Sequence, residues 1–180
     1  AAKNGNAEET GRLIKSGANM NLCDDDGWTA LMNAARYQND PETVKILLEA
    51  GADPDQKNKY GSTALHLAAA YSEAPEILRQ LVGATKNSDE IFKSFIMALT
   101  SNSVDEKKQT SKIKIFIDAK VSVNRFYEGR TPLMYAAEYS SSTQVIKFLL
   151  DNGAAKNLHS TDGKTAFDFA ESNKLLKHDK

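Results

Sequence analysis

The residues with types suited to chemistry are few: His66, His159 and His178, the single cysteine Cys23, and the acidic run Asp24-Asp25-Asp26 that ends at Gly27. A histidine that binds metal or moves protons needs a second ligand or a proton partner close by. His159 and His178 follow His66 by 93 and 112 residues, and no second ligand stands at metal spacing from any of them. A calcium loop takes oxygen ligands at its first, third and fifth positions, glycine at the sixth and glutamate at the twelfth. Counting from Gly27 puts Leu22 first and Asn33 twelfth, so the run does not form one. Cys23 precedes three carboxylates, the wrong setting for a thiolate nucleophile, and one cysteine supplies neither an internal disulfide nor a cysteine-based zinc site. No phosphate-cradling glycine loop and no nucleophile elbow is present. The expectation is a protein without enzymatic activity, metal or cofactor.

What remains for such a chain is binding, and composition narrows the partners. The 180 residues are 41% hydrophobic and 26% charged, the usage of a folded soluble domain. Lysine and arginine number 23 against 24 acidic residues, a net charge of -1, which offers no general attraction to nucleic acid or anionic lipid. No stretch approaches the roughly 20 apolar residues that span a bilayer. Ala1 to Thr10 lacks the basic start and apolar centre of a signal peptide. We expect a soluble monomer, cytoplasmic or exported after loss of a leader, whose partner is another protein.

The elements that must position a binding surface follow from an internal repeat. Gly27-Trp28-Thr29-Ala30-Leu31, Gly61-Ser62-Thr63-Ala64-Leu65, Gly129-Arg130-Thr131-Pro132-Leu133 and Gly163-Lys164-Thr165-Ala166-Phe167 recur with glycines 34, 68 and 34 residues apart. Gly17-Ala18-Asn19, Gly51-Ala52-Asp53 and Gly153-Ala154-Ala155 keep the same phase, separated by 34 and 102. Within one period, Thr29 is a natural N-cap for a short alanine-containing helix to Tyr37. After a break at 38–41, Val44, Leu47 and Leu48 form the apolar stripe of a second helix, ended by Gly51. The segment 53–61 is rich in turn formers, so each unit reads helix, loop, helix, finger.

These residues resemble the ankyrin repeat, whose G-x-T-P-L-H-x-A-A pattern is met closely by Gly61 to Ala69 and whose G-A-D is met by Gly51-Ala52-Asp53. The resemblance implies an all-α, right-handed solenoid of helix-loop-helix units joined by β-hairpin-like fingers. It also implies that His66 hydrogen-bonds between adjacent fingers. Met32, Met134 and Asp168 replace that histidine elsewhere. The loop Asn39-Asp40-Pro41-Glu42 is one residue longer than the common form, a variant similar to repeats of bacterial proteins. The expected single array comprises a partial unit 1–22, units 23–56, 57–88 and 125–158, a degenerate unit 89–124, and a closing half-unit 159–180.

The degenerate unit keeps a helix-spaced stripe of Phe92, Phe95, Ile96 and Leu99 but is four residues short before it, where the finger belongs. About five extra residues fall in 100–111, a polar segment expected to be an exposed loop. Its lysines, with Lys112 and Lys114, form a candidate basic patch; neutral drift in a tolerated loop is the competing reading. Lacking the threonine cap, the glycine turn and the finger, this unit is expected to be the least stable interior segment.

In ankyrin repeats the fingers and first helices line the concave side, and the resemblance places variable binding positions there. The candidates are Asp25, Asp26, Trp28, Arg36 and Tyr37, then Lys59, Tyr60 and Tyr71, and finally Phe126, Tyr127, Arg130 and Tyr139. All six tyrosines and the one tryptophan lie in fingers or first helices, and Tyr, Trp and Arg most often carry binding energy. Tyr37, Tyr71 and Tyr139 share one phase and suit a packing ladder. Trp28, Tyr60, Phe126 and Arg130 do not recur as a type and are the better contact candidates. A regulatory or protective subunit of an enzyme and a purely structural spacer are the alternative roles.

Overall fold

The computed structural model describes residue 2 and residues 6–37, 40–101 and 105–178. Through these run ten α-helices: α1 (Ala7–Lys15), α2 (Ala30–Tyr37), α3 (Pro41–Glu49), α4 (Ala64–Tyr71), α5 (Pro75–Ala84), α6 (Ser88–Thr100), α7 (Glu106–Asp118), α8 (Pro132–Tyr139), α9 (Thr143–Asp151) and α10 (Ala166–Ser172). A short 3-10 segment follows at Lys174–His178. Strand-like pairing among the described residues is confined to isolated bridges, Cys23 with Thr29 and Tyr127 with Arg130, both in fingers. The fold is all-α, as the repeat implied.

The first helices start where the threonines say they should. Thr63, Thr131 and Thr165 accept from the backbone N–H three residues on, at 3.3, 3.4 and 3.4 Å. Each threonine N–H in turn reaches the side chain of that third residue: His66 Nδ1 at 3.3 Å, Met134 Sδ at 3.4 Å and Asp168 Oδ2 at 2.7 Å. The histidine position is thus an acceptor position, and sulfur or carboxylate fills it as well as imidazole does. The second helices α3 and α9 start on Asp40 and Ser142.

The chain forms two compact units, Ala1–Ser94 and Phe95–Lys180, with α6 contributing residues to both. In the first, α2 packs on α4 and on α3, and α3 packs on α1 and α5. Leu31, Leu47, Leu65, Ile77, Leu78, Leu81 and Phe92 are fully buried there. In the second, α8 packs on α9 and α10, and α7 packs on α9, around Phe95, Leu99, Ile113, Phe116, Leu133 and Leu149. Within each unit the helices bury their stripes on neighbouring repeats, α2 on α4 and α3 on α5 in the first, α8 on α10 and α7 on α9 in the second.

The segment expected as an exposed loop at 100–111 is largely helix. α6 runs to Thr100 and α7 starts at Glu106, each 13 residues long, and residues 102–104 lie outside those described. Asp105 caps α7 through the N–H groups of Lys107 and Lys108, at 3.0 and 3.2 Å. Gln109, 1% exposed, turns its amide back on the C-terminus of α6 and donates to the carbonyls of Ala98, Leu99 and Ser101. Lys112 is buried, which removes it from the basic patch, and Lys114 is paired with Asp118 at 2.9 Å. The missing threonine cap is replaced too, since Asn87 Oδ1 accepts from the N–H groups of Asp89 and Glu90. Phe95 and Phe116, both without exposed surface, meet at 5.5 Å between ring centroids. Capping and aromatic burial therefore stand where the finger is lost, and they weigh against the expectation of a weak unit, which hydrogen exchange tests.

Candidate functional site

The fingers are built to bring neighbouring repeats into register. Gly27 donates to the Asp24 carbonyl at 2.9 Å while Asp24 donates to the Trp28 carbonyl at 3.1 Å, a three-residue hairpin loop that Gly27 closes at φ +80. A side chain at Gly27 would stand 3.0 Å from the Asn58 Cα, so the next finger can come this near only against glycine. The approach is used, because Lys59 N–H donates to the Asp26 carbonyl at 3.0 Å. In the second unit the finger is one residue shorter. Tyr127 and Arg130 exchange both backbone hydrogen bonds, at 2.8 and 3.0 Å, across Glu128 and Gly129, which have φ 46 and 78. Positive φ at both central residues is what a two-residue type I′ hairpin needs.

A second stitch joins neighbouring repeats through asparagine side chains. Asn21 accepts from the Asp53 N–H at 2.8 Å and donates to the Gly51 carbonyl, and Asn124 repeats this with the Ala155 N–H and the Gly153 carbonyl. Asp55, one period after Asn21, accepts from the Lys86 N–H at 3.2 Å.

On this frame the candidates separate. In the first unit Trp28, Arg36, Tyr37 and Tyr71 form one cluster. The Trp28 and Tyr37 rings stack at 6.2 Å, and the Arg36 guanidinium carbon lies 5.5 Å from the Trp28 ring centre, 5.3 Å from Tyr37 and 4.3 Å from Tyr71. Tyr37 and Tyr71 nevertheless stay 49% and 54% exposed, and Tyr60 reaches 73%. Asp25, Asp26 and Lys59 are exposed at the finger tips.

In the second unit Tyr127, Tyr135 and Tyr139 are spaced at 6.2 and 6.5 Å, and the Tyr135 hydroxyl donates to the Tyr127 carbonyl at 3.1 Å. Burial pushes the Tyr135 phenol above its ordinary value, and the Glu128 carboxylate adds to the effect. Arg130 forms a salt bridge with Glu138 and lies 4.6 Å over the Phe169 ring, so it is already engaged within the chain. Phe126 is 46% exposed.

Non-recurrence of Trp28 and Arg130 does not exclude a packing role. Residue 28 and residue 36 are eight apart, as are 130 and 138, at the same phase of the repeat. One pair is Trp with Arg and the other is Arg with Glu, so two chemistries make the same brace between finger and first helix. The type changes while the contact is kept.

His66 differs from the family expectation. Its Nε2 stands 3.1 Å from Glu90 Oε2 on α6, where the next finger is absent. Glu90, with its side chain 4% exposed, also receives Lys57 at 2.8 Å and Lys93 at 3.2 Å on its other oxygen. Burial drives the His66 pKa below its ordinary value, against the pull of Glu90, and Nδ1 accepts from the Thr63 N–H, which leaves the proton of the neutral ring to Nε2. Burial works to raise the Glu90 carboxyl, but its two lysine hydrogen bonds outweigh it and hold the carboxyl below its ordinary value. Glu90 carries no pattern signal because the repeat is broken there. Among the described residues no cluster of His, Cys, Asp and Glu could hold a metal ion, and no helix is long and apolar enough to cross a membrane.

Stacked helix pairs joined by stitched fingers, with aromatic and charged side chains raised on the finger and first-helix face, define a helical repeat protein. A family model described as ankyrin repeats (3 copies) matches residues 1–91, and one described as ankyrin repeats (many copies) matches 117–170. The chain belongs to the ankyrin-repeat family. Neither match reaches 92–116, where α6 and α7 replace a regular repeat.

A chain in the solved structure of the Bd0816 predatory endopeptidase from Bdellovibrio bacteriovorus in complex with immunity protein Bd3460 aligns with TM-score 0.74 and 29% identity. The alignment covers 100% of this chain and 96% of that one. The ankyrin repeat domain of Bcl-3, a unique member of the IkappaB protein family, aligns with TM-score 0.79 and 24% identity over 98% of this chain and 79% of that one. At that identity the likeness is one of fold alone. A search of curated proteins found no match.

Proposed function

We propose that the chain binds another protein on its finger and first-helix face and acts by that binding, without catalysis. The observation that carries this reading is the exposure of Tyr60, Tyr71 and Tyr37 beside half-buried Trp28 in the first unit. Large aromatics that stay this exposed, Tyr37 and Tyr71 although they also brace the fold, are what a contact surface keeps ready. Asp25 and Asp26 at the neighbouring tip add local charge that steers encounter with a basic patch of the partner. Affinity capture from the source lysate with the wild-type chain and with Tyr60→Ala tests the reading. The expected result is a discrete partner retained by the first and lost with the second, at unchanged thermal stability. Equal capture by both excludes Tyr60 and with it the exposed centre of this face.

One observation favours a more specific role. The alignment with a chain of an endopeptidase and immunity protein complex supports a partner that is itself an enzyme, restrained or protected by this chain. Assaying the captured partner with and without the chain separates this role from plain tethering.

A further inference from the structure

Resting on the binding face proposed above, we infer that Arg36 is a preset seat for a carboxylate, an aspartate or glutamate side chain of the protein partner. The guanidinium is held over three aromatic rings, Tyr71 at 4.3 Å, Tyr37 at 5.3 Å and Trp28 at 5.5 Å. Ring faces satisfy a guanidinium through its π surface and leave the N–H groups at its edge to other partners. Among the described residues no side-chain or backbone acceptor and no carboxylate takes those N–H groups of Arg36.

The contrast within the same sequence is direct. The position equivalent to Arg36 three periods later is Glu138, and there the charge is met internally by Arg130. Here the brace is made by rings, so the positive charge is fixed in place and no carboxylate among the described residues pairs with it. A planar fork of donors already immobilised loses little side-chain freedom on binding, and a carboxylate matches its geometry with two parallel hydrogen bonds. The half-exposed setting beside the Tyr37 and Tyr71 rings lowers the local dielectric around such a pair, while leaving the edge reachable.

The test uses the intact chain as bait for a phage-displayed library of random dodecapeptides set between fixed glycine–serine linkers. Enriched peptides are expected to share an Asp or Glu. The strongest should bind about tenfold or more weakly to Arg36→Gln, and little better to Arg36→Lys, which keeps the charge but loses the fork. Changing the shared acid to its amide should cause the same loss on the wild type and no further loss on Arg36→Gln. Thermal melts of both variants identify any loss that comes from unfolding, and Arg36→Lys, which keeps a cation over the rings, remains the deciding variant if Arg36→Gln melts early. Enrichment of peptides without an acid, or additive losses in that cycle, overturns the carboxylate seat. If such peptides still lose binding on Tyr60→Ala, the binding face stands and only the role of Arg36 fails. Peptides indifferent to Arg36, Tyr60 and Tyr71 substitutions alike, or a selection that yields no binder, count against both.

Discussion

Trp28 is placed to serve packing and, on the proposed reading, partner contact together. It stacks on Tyr37 and lies against Arg36, yet it stays half-buried on the proposed binding face. Trp28→Ala should therefore lower folding stability by about 1 kcal/mol through the lost cation–π and ring contacts. It should also weaken partner binding by about 2 kcal/mol, as a hot-spot aromatic does. Thermal melts and affinity measured on the same variant separate the two effects, and a change in only one of them shows that the ring has a single role. Glu128 offers a cleaner backbone test. Its φ of 46 places an ordinary side chain in the left-handed region, which asparagine tolerates better. Glu128→Asn should raise stability by about 0.5–1 kcal/mol in urea unfolding, and a loss would mean that its carboxylate matters more than its backbone.

The helices α6 and α7 carry the largest departure from the regular repeat. Removing the Gln109 amide strands three carbonyls at the end of α6, so Gln109→Ala should cost about 1–3 kcal/mol. Phe116→Ala, which opens a hole beside Phe95, should cost about 3–5 kcal/mol. Hydrogen exchange should find the Ile96 and Leu99 amides as protected as those of Leu47 and Leu65, and fast exchange there would restore the weak-unit reading. The regular repeats were legible because glycine, threonine and the apolar stripes recur at 34 residues and each has a local cause in a turn, a cap or a buried face. The start of α7 was not, because Lys107, Lys108, Gln109 and Thr110 carry no apolar stripe and sit where the repeat landmarks vanish. Asp105 followed by Glu106 was a capping signal available to a reading freed from the repeat. On the proposed binding face the sequence marked candidate positions but not the contacts among them. The braces of Arg36 and Arg130 join residues whose chemistry changes from repeat to repeat, and only coordinates show that the contact persists.

For the whole molecule, acid is the condition that tests the buried charge cluster. His66 has a folded pKa below its ordinary 6.5, so the unfolded chain takes up that proton first and stability falls as pH drops through 6.5. Glu90, also lowered from its ordinary 4.5, adds a second loss in the same direction below that value. Melting temperature should therefore decline from pH 7 toward pH 4, and Glu90→Gln should flatten the lower part of that decline. A net charge of -1 leaves association to local fields, so the on-rate for a partner should fall with added salt by an amount that Asp25→Asn and Asp26→Asn reduce. The two braces between finger and first helix also bear on how such a chain changes over generations. Glu138→Arg alone sets a second cation beside Arg130, and Arg130→Trp alone strands Glu138 without its cation, whereas the two changes together recreate the Trp28 and Arg36 pairing. Such positions are epistatic: a lineage crosses from one binding surface to another through a less stable intermediate or by a paired exchange, and a library that randomises 130 and 138 jointly will keep folded members that single-site libraries discard.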